Sequence, residues 1–183
     1  MTTAPDRAKS ASMGVPLTLV LGGARSGKSR YAESVIAALP PPWIYVATAA
    51  AGDEEMAERI ARHRARRGAD WRVVETPHGV AAALQKSGTT PVLVDCLTLW
   101  LSNLMLAGID IDAETAHLEK ALAAATAPVV LVANEVGSGI VPDHPLGRRF
   151  RDAQGILNQR IAALADRVVL VVAGLPMPLK GTL

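Results

Sequence analysis

A chain of 183 residues, half of them apolar and with a formal net charge of +2, suits one compact α/β domain and excludes wholesale disorder. That small charge offers no bulk electrostatic case for a nucleic-acid binder, and one Phe, two Tyr and three Trp leave the core to Val, Leu, Ile and Ala. The lone Cys96 excludes an internal disulfide framework and fits a reducing cytoplasm.

In chain order, "MTTAPDRAKSASMGVPLTLVLGGA" has early basic residues and then an apolar stretch, as a signal peptide would. Its apolar part is short and runs into a phosphate-loop pattern, so residues 1–13 read as a flexible tail and 14–183 as one catalytic domain. No apolar run approaches the ~20 residues needed to span a bilayer, and a soluble, cytoplasmic protein is expected.

Five short runs apolar on both faces follow: "LTLVL" (17–21), "WIYVA" (43–47), "PVLVDC" (91–96), "PVVLVA" (128–133) and "RVVLVVAG" (167–174). "WRVVE" (71–75) adds a shorter edge strand. Amphipathic or Ala-rich segments separate them, at about 28–39, 53–67, 78–86, 98–107, 112–126 and 148–165. Buried strands alternating with helices predict an α/β fold of the P-loop NTPase (RecA-like) type, a doubly wound, mostly parallel sheet with helices on both faces. The closing "LPMPLKGTL" is less regular and receives no role. In such a sheet ligands gather at the carboxyl ends of the strands, so the polar residues at those ends carry the functional argument.

After the first strand stands "GGARSGKS". Gly22, four residues, then Gly27, Lys28 and Ser29 match the Walker A pattern between a strand and a helix. Backbone N–H groups of Gly22, Gly23, Ala24, Arg25, Ser26 and Gly27 can converge on phosphate oxygens, reinforced by the helix N-terminus. Lys28 would reach the β/γ-phosphates and Ser29 would ligate Mg²⁺. Asp95, ending "PVLVDC", is a second metal ligand or else a cap for the helix from Thr98. Glu135, in "PVVLVANEVGSGIVP", could bind metal, orient a hydroxyl acceptor or act as a base.

The segment "DEEMAERIARHRARRGADW" sets His63 among Arg59, Arg62, Arg64, Arg66 and Arg67. Met56, Ile60, His63 and Arg67 share a helical face. Cationic neighbours discourage the imidazolium form. Periodicity alone reads this as a basic helix end with a surface histidine, and a neutral nucleophile beside a phosphate is the other reading. In "RRFRDAQGILNQRIAALADR", Phe150, Ile156, Leu157, Ile161 and Leu164 read as a packing face. Arg148, Arg151, Asn158 and Gln159 are not explained by packing and read as lining the site or a subunit contact. His78, His117 and His144 read as solvated, with His144 close enough to "GSGIVP" to touch substrate.

"GGARSGKSRYAE", "ERIARHRARR", "LVDCLTLWLSNL", "NEVGSGIVP" and "RRFRDAQGILNQRIA" in this order closely resemble the bifunctional adenosylcobinamide kinase / adenosylcobinamide-phosphate guanylyltransferase family of cobalamin biosynthesis. The resemblance covers residues 17–175. It implies that His63 carries GMP, and that the nucleotide meets residues 22–29, Ala47, Thr48, Ala49, Arg64, Ala65, Arg66, Arg67, Glu75 and Asp95. It also implies ATP and GTP as substrates beside adenosylcobinamide and its phosphate, and a homotrimer; the Mg²⁺ expected at Ser29 and Asp95 from the phosphate-loop pattern would serve both steps. Two other readings remain: a P-loop small-molecule kinase with His63 a bystander, and a RecA-like nucleotide-dependent nucleic-acid-binding module. Sparse aromatics argue against the second, since strand binders use stacking platforms.

Overall fold

The computed structural model describes residues 16–49 and 68–183. The segment 53–67, and with it His63 and Arg64–Arg67, lies outside them.

Among the described residues seven strands form one sheet: β1 (Leu17–Gly22), β2 (Trp43–Ala47), β3 (Trp71–Glu75), β4 (Val92–Asp95), β5 (Val129–Asn134), β6 (Arg167–Val172) and β7 (Leu175–Lys180). Their order is β3-β2-β4-β5-β1-β6-β7. All neighbouring pairs are parallel except β6 with β7. The five described helices are α1 (Lys28–Ala37), α2 (Val80–Gln85), α3 (Leu97–Leu106), α4 (Ile111–Ala123) and α5 (Pro145–Leu164).

The apolar runs became central strands because both their faces are covered. Leu19, Val46, Val92, Val94 and Leu131 pack into one core with α2, α3, α4 and α5. Val20, Tyr45, Leu93, Val132 and Val171 pack into a second core with α1. The expected doubly wound sheet is thus present, with helices on both faces. Trp100 of α3 is buried at 1% exposure, and its indole N–H donates to the His78 carbonyl at 2.7 Å, so its polar atom is not stranded. The Asp110 carboxylate opens α4 by accepting from the Asp112 and Ala113 N–H groups.

Two sequence expectations change. "RVVLVVAG" does not run through to Gly174: β6 stops at Val172, and Ala173 and Gly174, both at positive φ (51° and 81°), turn the chain back into β7. Positive φ at both central residues is what a tight hairpin on twisted strands requires. The irregular-looking "LPMPLK" is therefore an antiparallel edge strand, where Pro176 and Pro178 cost no ladder bond on the outer side. On α5, Ile156 is not part of the packing face but is 56% exposed, whereas Leu157 and Ile161 are buried as expected. Ile156 sits about 100° round the helix from Leu157 on the side away from Asn158, outside the stripe through Gln154, Leu157, Asn158 and Ile161. The buried stripe instead contains two amides, Gln154 and Asn158.

Candidate active site

The strand register aligns the polar ends at one edge of the sheet. Glu75 lies beside Ala47, and Ala47 beside Asp95. Asp95 lies beside Val132, two residues before Asn134, and Asn134 lies beside Gly22. Residues separated by more than a hundred positions in sequence thus share the carboxyl edge where the phosphate-loop pattern begins.

Gly22 ends β1 because nothing larger fits: a Cβ there would stand 2.5 Å from the Ser26 hydroxyl and 2.7 Å from the Val171 carbonyl. The loop then closes with the Ser26 N–H donating to the Gly23 carbonyl, and Gly27 at φ 96° begins α1 without a side-chain cap. That leaves the first N–H groups of α1 directed out of the helix end, the arrangement that binds phosphate. Lys28 is buried to 7% exposure and donates from Nζ to the Gly23 carbonyl at 3.0 Å. The tip of the β6–β7 hairpin braces the loop from outside, the Gly174 N–H donating to the Ser26 carbonyl at 2.8 Å.

Asp95 is not a helix cap. The residue preceding α3 is Cys96, which makes no side-chain cap bond, and Asp95 Oδ2 instead accepts from the Tyr45 hydroxyl at 2.9 Å. Thr48, fully buried, donates through its hydroxyl to the Cys96 carbonyl and accepts from the Cys96 N–H at 2.7 and 2.8 Å. Asn103 Nδ2 donates to the Thr48 and Pro77 carbonyls. The turns after β2, β3 and β4 are therefore tied into one floor. Burial, and next the adjoining Asp95 carboxylate, push the Cys96 thiol up to about 11.

Glu135 follows β5, and its N–H donates to the Gly22 carbonyl at 3.1 Å, joining it directly to the phosphate loop. Its Oε1 accepts from the N–H groups of Gly137 and Ser138, at 2.5 and 3.1 Å. The preceding Asn134 is clamped twice: its N–H donates to the Thr98 hydroxyl, and its carbonyl accepts from Asn158 Nδ2 at 3.0 Å. Gln154 in turn donates to Asn158 Oδ1 at 2.8 Å.

The family model described as cobinamide kinase / cobinamide phosphate guanyltransferase matches residues 18–179, nearly the whole chain. The chain belongs to this family. It is 50% identical over 167 residues to the bifunctional adenosylcobalamin biosynthesis protein CobP of Pseudomonas aeruginosa, covering 89% of this chain and 96% of that relative. It is 42% identical to the corresponding CobU protein of Salmonella typhimurium, over 90% of this chain and 99% of that one. Two of the solved structures it resembles are remote in sequence and speak for the fold alone. An ATPase of a bacterial type III secretion system aligns with a TM-score of 0.56 at 12% identity, over 89% of this chain and 56% of that one. A Pyrococcus horikoshii protein aligns with a TM-score of 0.56 at 6% identity, over 92% and 87%.

This cobinamide kinase / guanyltransferase brings Gly22–Ser29, Ala47, Thr48, Glu75, Asp95 and Glu135 to one edge, with Ala49 continuing the turn after Thr48. His63 and Arg64–Arg67 lie outside the described residues. The other histidines are not at the phosphate loop by any bond they make. His117 pairs with Glu114 at the surface, His78 is exposed, and His144 caps α5 by accepting from the Gly147 N–H at 3.0 Å. Arg148 holds the Pro142 and Asp143 carbonyls. Gln159 is exposed and Asn158 buried. Asn158, one of the polar residues packing did not explain, reaches the Asn134 carbonyl beside the site, whereas Tyr45 and Thr98 were not predictable as its neighbours; the nearest signal was a tyrosine inside an otherwise apolar strand. Among the described residues no helix is long and apolar enough to cross a membrane.

Proposed function

We propose that one nucleotide site on this edge serves a phosphorylation followed by a guanylyl transfer. In the first step the aminopropanol hydroxyl of adenosylcobinamide attacks the γ-phosphorus of ATP or GTP, the β–γ bridge breaks, and a nucleoside diphosphate leaves. Glu135 is the group assigned to the hydroxyl proton, with its Oε2 outside the two bonds that fix the loop. In the second step a neutral nitrogen of His63 attacks the α-phosphorus of GTP and pyrophosphate leaves. The phosphate of adenosylcobinamide phosphate then attacks the same phosphorus, the P–N bond breaks, and adenosylcobinamide-GDP forms. Arg64, Arg66 and Arg67 supply positive charge for the triphosphate and its transition state, with Ala65 between them at the nucleotide.

In this reading residues 22–29 cradle the phosphates, and Ala47, Thr48, Ala49, Glu75 and Asp95 line the nucleotide's path. Ser29 and Asp95 are hard oxygen donors, one hydroxyl and one carboxylate, which suits Mg²⁺ held partly by substrate phosphates. When bound, Mg²⁺ would neutralise charge on those phosphates. The protein is taken to act in the cytoplasm as a homotrimer. The single observation that supports the proposal is the backbone bond from the Glu135 N–H to the Gly22 carbonyl, which sets the residue after β5 beside the phosphate loop.

The test is product analysis with adenosylcobinamide. ATP alone should give the phosphorylated corrinoid, and GTP should carry it on to the GDP ester with one pyrophosphate per turnover. Phosphorylation that stops there even with GTP would leave only the kinase.

A further inference from the structure

The loop between Glu135 and α5 is pinned at both ends. Glu135 Oε1 holds the Gly137 and Ser138 N–H groups at its start, and Arg148 holds the Pro142 and Asp143 carbonyls at its end. Between these anchors the tip presents Ile140 at 97% exposure and Val141 at 55%, with Leu146 of the first turn of α5 at 48%. A fixed loop that holds branched apolar side chains in water forgoes the stabilisation that burial would give them. The loop begins at the residue bonded to Gly22, so it rises from the same strand edge as the phosphate loop. Leu106 is also exposed, but it ends α3, which runs away from this edge for ten residues.

We propose that Ile140 and Val141 form the resting surface for the corrin ring of the substrate, a use that depends on the cobinamide reading above. A hydroxyl on a short arm must reach the γ-phosphorus inside the loop. The macrocycle that bears the arm is too large to follow it and must lie just outside. An apolar tip anchored to the acidic strand end supplies a contact for the ring there, while the arm passes Glu135. The tip therefore governs affinity for the corrinoid and not for the nucleotide.

The experiment compares wild type with Ile140→Ser/Val141→Ser, Ile140→Leu and Leu106→Ser. Equilibrium dialysis gives the Kd for adenosylcobinamide, read from the corrinoid's own colour. Separate titrations give the Kd for GTP, and light scattering gives the molar mass. The double variant should bind the corrinoid about tenfold more weakly, with GTP affinity and molar mass unchanged, from the loss of apolar contact alone. Ile140→Leu and Leu106→Ser should match wild type. The proposal is overturned if corrinoid affinity is unchanged in the double variant, or if GTP affinity falls in parallel. It is likewise overturned if the molar mass drops, which would make the tip a contact between copies of the chain. Failure of the wild type to bind the corrinoid at all would instead remove the cobinamide reading on which this rests.

Discussion

Tyr45 gives Asp95 a fixed orientation through a 2.9 Å hydrogen bond, while its ring packs edge-on against Trp71 at 6.2 Å between centroids. The ring belongs to the core and the hydroxyl to the site. Tyr45→Phe should keep the packing and release the carboxylate. The expected result is a roughly tenfold fall in kcat for phosphorylation with a stability loss of about 1 kcal/mol, measured by steady-state kinetics and urea melts. Cys96 offers a second test at this scale. With its thiol pushed up to about 11 by burial and then by Asp95, the thiolate is scarce at pH 8. Ellman's reagent should label the native protein far more slowly than the urea-unfolded chain, and equal rates would contradict the buried placement. Sequence reasoning found Asp95 but not Tyr45, fifty residues away, because only the β2–β4 pairing brings them together. The contact between Asn158 and Asn134 was likewise illegible, because it needs α5 to cross back over the sheet.

Among the elements, the phosphate loop was legible because its chemistry is local: strand, glycines, lysine and helix are contiguous. Gly22→Ala should abolish nucleotide binding in a GTP titration, since the added carbon would meet the Ser26 hydroxyl at 2.5 Å and the Val171 carbonyl at 2.7 Å. The β6–β7 hairpin that supplies Val171 and braces Ser26 was illegible, because Ala-Gly is a weak turn signal and two prolines disguise the edge strand. α4 and α5 are joined by Arg160, whose Nε and Nη2 donate to the two Glu119 oxygens at 2.7 and 2.8 Å. This hydrogen bonding holds the Glu119 carboxyl below its usual 4.5. A carboxyl lowered in the folded state adds stability above its unfolded value, and that stability is lost as pH falls through the lowered folded value. Glu119→Gln should therefore lower the Tm by about 2–4 °C at pH 7, for a pair contributing roughly 1 kcal/mol. The difference from wild type should shrink steadily below pH 4.5, as followed by thermal melts.

For the whole molecule, the topology decides the function more than any one motif. β1 sits between β5 and β6 in the sheet, so the phosphate loop is flanked by an acidic strand end on one side and a bracing hairpin on the other. The proposed guanylyl transfer assigns its nucleophile to His63, in the segment after β2, and that step is the claim on which the two-step account turns. The most direct test is intact-protein mass spectrometry after incubation with GTP and Mg²⁺ in the absence of corrinoid. The account predicts a mass increase of one guanylyl group that survives base, is released by acid, and is absent from His63→Ala. No adduct on wild type, or an undiminished adduct on His63→Ala, would contradict it.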